Sequence, residues 1–479
     1  MLFFYHAFSV LVISPLVGAL LAVVLPPRLG RHVGRVVTAL CAVIIVVLWF
    51  SPPVQRGSSL VLVYPGGRSP CLGLDSLNWT IVATTTLLCL AAMLWGREEK
   101  PGPSLSPPLD AWVLVCMGFS YAVALVLAVP EAVAATVATG LLPVLYVMLG
   151  LNHRRVRFLW LWPVVTVVLS GAFLFGASAL STPSNDLGSF LYEIPQITRE
   201  FGGLAVLVLL LSAYVGGALV PFAWPASMGF AAGRRAAAFL MGSTVLLPGL
   251  VLAVRVYALS HGRAMALQTM YGVAEPFLFL ALVTAAWHLV HLVAERDVER
   301  AVGRLAGLHG VYLFMALLFI GATRYSGYAA LLLLLLARGL GFALLYFSLD
   351  WLRPELTQAP MLTRLGRAAE SAPLAVLGLV IGLASVAGMP PLAGFAAKWA
   401  LYRSALVVGQ EWAHVVLVLY VTEAALVLKW VVNALRQPAP RVAHCRDLPG
   451  LKRWIVIGLV TLNIGTIAGP PVLAWLLRG

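Results

Sequence analysis

The chain has 479 residues, 61% of them apolar and only 10% charged. A soluble globular chain carries about 45–50% apolar and about 25% charged residues, so this one holds more apolar surface than a water-soluble fold can hide. That excludes a secreted disulfide scaffold, a nucleic-acid-binding domain and a cytosolic enzyme. The net charge of +14 then reports membrane topology rather than polyanion binding.

The expectation is an all-α polytopic protein, multi-pass in the cytoplasmic (inner) membrane and surrounded by lipid. Apolar runs of about 20 residues mark transmembrane helices, because a helix rising about 1.5 Å per residue needs that length to cross the hydrocarbon core. Fourteen spans follow in chain order: 5–27, 34–50, 76–95, 110–128, 131–151, 157–180, 203–223, 236–259, 273–294, 301–322, 326–349, 372–399 (with an extension), 411–435 and 453–477. The first run is long enough to cross and is followed by another, so it reads as a helix and not as a cleaved signal. The Pro/Ser-rich stretch 101–108 and the segment 181–200 read as loops.

Basic residues orient these spans. Loops that follow odd-numbered spans hold 21 of the 32 lysines and arginines, from Arg28 and Arg31 to Lys452 and Arg453. Lysine and arginine favour the cytoplasmic side, which places odd loops inside and both termini outside. The five cysteines, Cys41, Cys71, Cys89, Cys116 and Cys445, form no Cys-x-x-Cys pair and no ligand cluster with the nine histidines. No metal or cofactor is expected in this chain. Gly-rich phosphate loops, nucleophile elbows and dinucleotide fingerprints are equally lacking in the sequence, so any redox chemistry would belong to partners.

Ionisable residues within the spans are the candidates for function, because each costs several kcal/mol at membrane depth unless it snorkels, pairs or faces a wet cavity. The basic ones are Arg255, Arg338, Lys398 and Lys429; the acidic ones are chiefly Glu275 and Glu423; His288, His291, His309 and His414 join them. Lys429 lies near the inner end of its span and Arg255 near the outer end of its own, where each can snorkel to the interface. Arg338 is close to mid-span, and Lys398 follows a break.

That break is the most informative stretch: Ser385-Val-Ala-Gly-Met-Pro-Pro-Leu-Ala-Gly-Phe-Ala-Ala-Lys398. Pro390 and Pro391 supply no backbone donor and clash with the preceding turn, so the helix breaks around Gly388–Gly394. Backbone freed at membrane depth is tolerated only where protein or cavity water satisfies it, and discontinuous helices of this kind build ion sites in transporters. The plainer alternative is a proline kink that merely packs, with Lys398 reaching the interface.

The segment Gly-Met-Pro-Pro-Leu-Ala-Gly-Phe-x-x-Lys, ending at Lys398, resembles the twelfth-helix signature of the antiporter-like membrane subunits. These are the proton-pumping subunits of respiratory complex I, the large subunits of Mrp-type sodium/proton antiporters and their counterparts in membrane-bound hydrogenases. Similar to family segments are also Leu74-Asp75-Ser-Leu-Asn, Leu142-Pro143-Val-Leu-Tyr146, Val220-Pro221-Phe-Ala-Trp224-Pro, Asp297-Val-Glu-Arg300 with His309, and Ala337-Arg338-Gly-Leu-Gly-Phe342. The resemblance covers roughly residues 70–435. It implies two inverted five-helix repeats, helices 4–8 and 9–13, with broken helices 7 and 12. The chain then divides into N-terminal helices 1–3 (1–100), a first repeat (101–260), a second repeat (261–436) and a C-terminal helix 14 (437–479). The long lateral helix of some relatives is not expected.

Departures from the family pattern fall in the first repeat. Ala138 stands where relatives carry a glutamate, Gly216 where they carry a lysine, Ala223 where they carry a histidine, and Leu247 where they carry a lysine or histidine. The second repeat keeps His309, Arg338 and Lys398, although an arginine at 338 stays protonated at physiological pH and is a poor relay. The resemblance therefore implies a membrane-arm subunit of a redox-driven or ion-driven complex that moves protons, or Na+, through its second repeat. Lys398 would exchange protons; His309, and with them His288 and His291, would relay them; Glu423 would be the counter-charge to Lys398 or Lys429. Partners would be other integral membrane subunits, which would hold any iron–sulfur or other redox centres. Three alternatives stand beside this: a non-pumping scaffold subunit, the membrane subunit of a cation/proton antiporter, and that of an ion-driven inorganic-carbon uptake complex.

The charge asymmetry makes a topological prediction. An impermeant thiol reagent is expected to label Cys445 only from the cytoplasmic side and Cys71 only from the outside. Reversed labelling overturns the assigned orientation.

Overall fold

A computed structural model describes residues 2–49, 60–62, 72–74, 76–95, 264–295, 298–323, 325–356, 365–436 and 447–466, with single positions within 111–121, 165–169 and 207–223. The described helices are α1 (Leu2–Val24), α2 (Pro27–Trp49), α3 (Ser76–Trp95), α4 (Ala264–Ala294), α5 (Val298–Thr323), α6 (Tyr325–Leu356), α7 (Leu365–Ser371), α8 (Pro373–Ala387), α9 (Ala393–Val408), α10 (Gln410–Arg436) and α11 (Gly450–Gly465). Five of them contain stretches long and apolar enough to cross a membrane: Arg28–Leu48, Ala274–Ala294, Arg300–Ile320, Ser326–Leu352 and Gln410–Arg436. The chain is a multi-pass, helical membrane protein.

α5 and α6 form the centre. Their apolar residues run around the whole helix circumference and are buried almost throughout, from Ala301 to Ile320 and from Ala330 to Leu352. A helix that is hydrophobic all round must be enclosed by others, and here α4, α8, α9 and α3 enclose the pair. The outer helices show the opposite pattern for a water-soluble protein: Leu20, Val36, Phe279, Val290, Val418 and Trp454 are exposed. Such outward apolar faces are what a bilayer solvates.

Three local features depart from the sequence reading. α4 begins at Ala264, well before residue 273, and α6 runs past 349 to Leu356, because hydropathy marks the membrane depth and not the helix end. A short hairpin, β1 (Leu60–Leu62) against β2 (Leu72–Leu74) in antiparallel register, lies in the linker before α3. The short α7 precedes α8 and buries Leu365 and Ala368.

The predicted span 372–399 is two helices. α8 starts with Pro373 in its first turn, where the missing N–H is not needed, and the Leu374 N–H donates to Asp447 Oδ1 at 3.2 Å. It ends in a Schellman motif: the Gly388 N–H reaches Ser385 O at 2.9 Å and the Met389 N–H reaches Ala384 O at 2.8 Å. Gly388 is left-handed, with φ of 82°, a conformation a Cβ would strain. After Pro390 and Pro391 the helix resumes as α9 and runs on to Val408. The two halves meet at Gly394, where an added Cβ would run into the Ser385 carbonyl oxygen.

Gly394→Ala is therefore expected to destabilise the protein by about 1–3 kcal/mol, as overpacking does. Thermal unfolding in detergent checks this, and Gly458→Ala, where an added Cβ meets nothing within 4 Å, is expected not to lower the midpoint.

Candidate functional site

The break brings Lys398 back into the protein interior. One turn beyond Gly394, its side chain is 1% exposed, and its Nζ donates to Glu423 Oε2 on α10 at 2.6 Å. The Tyr312 hydroxyl on α5 donates to the same carboxylate oxygen at 2.8 Å. The ammonium also lies over the Tyr312 ring, 4.7 Å from its centroid, and 5.5 Å from that of Tyr420 on α10. Tyr420 in turn donates its hydroxyl to Gly388 O at 2.7 Å. One tyrosine thus fixes the carboxylate, and the other ties α10 to the left-handed residue of the break.

Burying two charges is favourable only when the geometry is close and their remaining hydrogen-bonding capacity is met. Here the carboxylate is met on one side alone. Glu423 Oε1 is buried and accepts no hydrogen bond among the described residues.

His309 lies one turn before Tyr312 on α5, with its ring edge-to-face with Tyr312 and Phe342. Its Nε2 is 3.1 Å from Val386 O, in the last turn of α8. A carbonyl only accepts, so the proton sits on Nε2, and Nδ1 is a bare acceptor without a partner among the described residues. Arg338 on α6 donates from Nη1 to Ala306 O at 2.9 Å and lies over Phe342. The positive charges of Lys398 and Arg338 both act on His309.

His288 and His291 belong to a different cluster, at the α4–α5 contact. His288 is buried, lies edge-to-face with Trp287 and fills the notch left by Gly307, where an added Cβ would strike its ring. His291 Nδ1 donates to Trp287 O at 2.8 Å, and Arg304 stacks over Trp287. Lys429 is exposed on α10, so of the two partners considered for Glu423 the structure pairs it with Lys398. Glu275 and His414 are exposed as well, and Ala223 is buried at 1%. Ala138, Gly216, Leu247 and Arg255 lie outside the described residues, as do Cys71 and Cys445.

Tyr312, Tyr420, Ser385 and Asn463 carry hydrogen bonds at or beside this site that sequence reasoning did not assign. A signal existed for the tyrosines. Tyr312 is three residues after His309 and Tyr420 three before Glu423, spacings that put each pair on one helix face.

Removing one partner of a buried pair strands the other. Glu423→Ala is expected to cost about 3–5 kcal/mol, whereas the double change Lys398→Met with Glu423→Leu recovers most of that loss. Denaturation midpoints of the three proteins measure both effects.

No family model and no curated protein matches the sequence. Solved structures do match it over nearly its whole length. One is a chain of the Mrp complex from Dietzia sp. DQ12-45-1b, at 17% identity and a TM-score of 0.78, covering 98% of this chain and 96% of that one. Another is a chain of respiratory complex I from Thermus thermophilus, at 19% identity and 0.78, covering 98% and 100%. A third belongs to the membrane-bound sulfane sulfur reductase, an archaeal respiratory membrane complex, at 16% and 0.79, covering 95% and 75%. At such identities the likeness is one of fold, and function has to be argued from the site. With the break, the buried lysine and these near-full-length superpositions together, the chain has the antiporter-like fold of membrane subunits from complexes of the Mrp and complex I kind.

Proposed function

We propose that the chain is an antiporter-like subunit in the membrane arm of a multi-subunit ion-translocating complex, and that it contributes to proton translocation through its second repeat. The observation that carries this reading is the buried Lys398–Glu423 pair, held against the break between α8 and α9. A lysine at membrane depth is expensive, and such residues mark ion paths by default. In the proposed scheme a proton arriving at Glu423 turns the carboxylate into an acid and frees the Lys398 ammonium to release its own proton. His309 offers Nδ1 as the next acceptor, while Arg338 remains charged and supplies a fixed field.

The finer architecture belongs to the same proposal: fourteen spans, inverted repeats at helices 4–8 and 9–13, both termini outside, in the cytoplasmic membrane. The complex would be redox-driven, of the quinone reductase or hydrogenase type, with iron–sulfur or other centres in partner subunits. The scaffold alternative has its own support. Ala223, where relatives carry a histidine, is buried and offers no proton-holding group.

Lys398→Ala and Glu423→Gln are expected to reduce coupled ion movement in the reconstituted complex, while apolar substitutions around Gly216 leave it nearly unchanged. A Lys398→Ala complex that assembles and pumps at the wild-type rate replaces this reading with the scaffold one.

A further inference from the structure

The polar chemistry at the break continues away from the ion pair, into the last described helix. Asn463 on α11 is fully buried, and so is Ser385 on α8. The Ser385 hydroxyl donates to Asn463 Oδ1 at 2.5 Å, and Asn463 Nδ2 points back to Leu459 O at 3.4 Å. Asn463 stands alone as a buried polar side chain among the described residues of α11. A buried amide on a helix that otherwise packs with Val456 and Leu459 calls for a specific partner, because leaving it unmet in the membrane is costly.

Ser385 is also the residue on which the break turns. Its carbonyl accepts the Gly388 N–H that ends α8, and it is the atom against which Gly394 of α9 packs. Gly388 packs tightly too: an added Cβ would come within 2.7 Å of Lys398 Cδ and 3.0 Å of Tyr420 Cε2. A continuous chain of contacts therefore runs from Asn463 to Ser385, from Ser385 to Gly388 and Gly394, and from these to Lys398, Tyr420 and Glu423.

We infer that Asn463 is a positioning residue for the broken helix, and that through Ser385 the last described helix sets the geometry of the Lys398–Glu423 pair. The inference rests on the proposed role of that pair in ion movement. Among the described residues, no hydrogen bond or ion pair joins α11 to Lys398 or Glu423. Through the Ser385 hydroxyl, Asn463 anchors to α11 the residue whose carbonyl orders both ends of the break. Titratable groups face the pair from α5 (His309 and Tyr312) and α10 (Tyr420), and the charge of Arg338 on α6 acts on His309. The buried polar side chains of α8 and α11 among the described residues are Ser385 and Asn463, and neither titrates; Lys452 and Arg453 lie about three turns away along α11.

The test uses infrared spectra of the purified full-length protein in its complex, in which the Glu423 carboxyl and carboxylate bands are assigned by their loss in Glu423→Gln. Asn463→Leu and the milder Ser385→Ala are each expected to shift those bands by the same amount, and the double variant to shift them no further. Thr461→Val, on an exposed position of the same helix, is expected to shift nothing. Coupled ion movement is expected to fall about tenfold in Asn463→Leu, a coupling of the size seen between residues in one hydrogen-bonded network. Unshifted bands in both single variants overturn the inference, as do shifts that add in the double variant. If Lys398→Ala leaves ion movement intact, the proposed function fails, whereas the infrared comparison still reports on Asn463.

Discussion

An ammonium and a carboxylate 2.6 Å apart, both shut away from water, are the constraint around which this protein is arranged. Neither charge is tolerable alone at membrane depth, and the pair itself is tolerable only because other groups complete it. Tyr312 donates to the carboxylate, two tyrosine rings line the ammonium, and the freed backbone of the break is satisfied by its own turn and by the Tyr420 hydroxyl. The small residues follow from the same demand. Gly388 has to be left-handed and Gly394 has to let a carbonyl close in, so that α8 and α9 can deliver Lys398 to α10.

The surrounding charges differ in kind. Arg338 is buried, but it donates to the Ala306 carbonyl and stays with α5 and α6 as a fixed charge. Among the described residues, His309 and Glu423 each keep one bare acceptor atom, Nδ1 and Oε1, on either side of Tyr312 in the sequence of contacts. Bare buried acceptors are expensive in a finished core. In the proposed scheme they are the atoms on which a mobile proton lands. His288 likewise has no hydrogen bond to either ring nitrogen among the described residues; it fills a notch at Gly307, away from the lysine, and its neighbours Trp287, His291 and Arg304 make an aromatic and basic cluster at the α4–α5 contact.

Much of this was legible before any helix was packed. Composition dictates a membrane protein, run length marks the apolar stretches within α2, α4, α5, α6 and α10, and the Gly-x-Pro-Pro pattern places the break, because each depends on residues that are neighbours in the chain. Lys398 follows from the same local logic, four residues beyond Gly394 on a resumed helix. Helix ends were less legible. Hydropathy falls at the membrane surface while the hydrogen-bonded helix continues, as in α4 and α6.

The tertiary structure decided which groups meet. Glu423 had two lysines within reach by sequence, and Lys429, the nearer in the chain, turns to the exposed face of α10, while Lys398 arrives from another helix. Tyr312 finds its carboxylate 111 positions away and Ser385 its amide 78 positions away. Such pairings depend on how far each helix is rotated and how closely two helices approach. Those quantities are set by the summed packing of α5, α6, α8, α9, α10 and α11, and no local pattern of residues carries them.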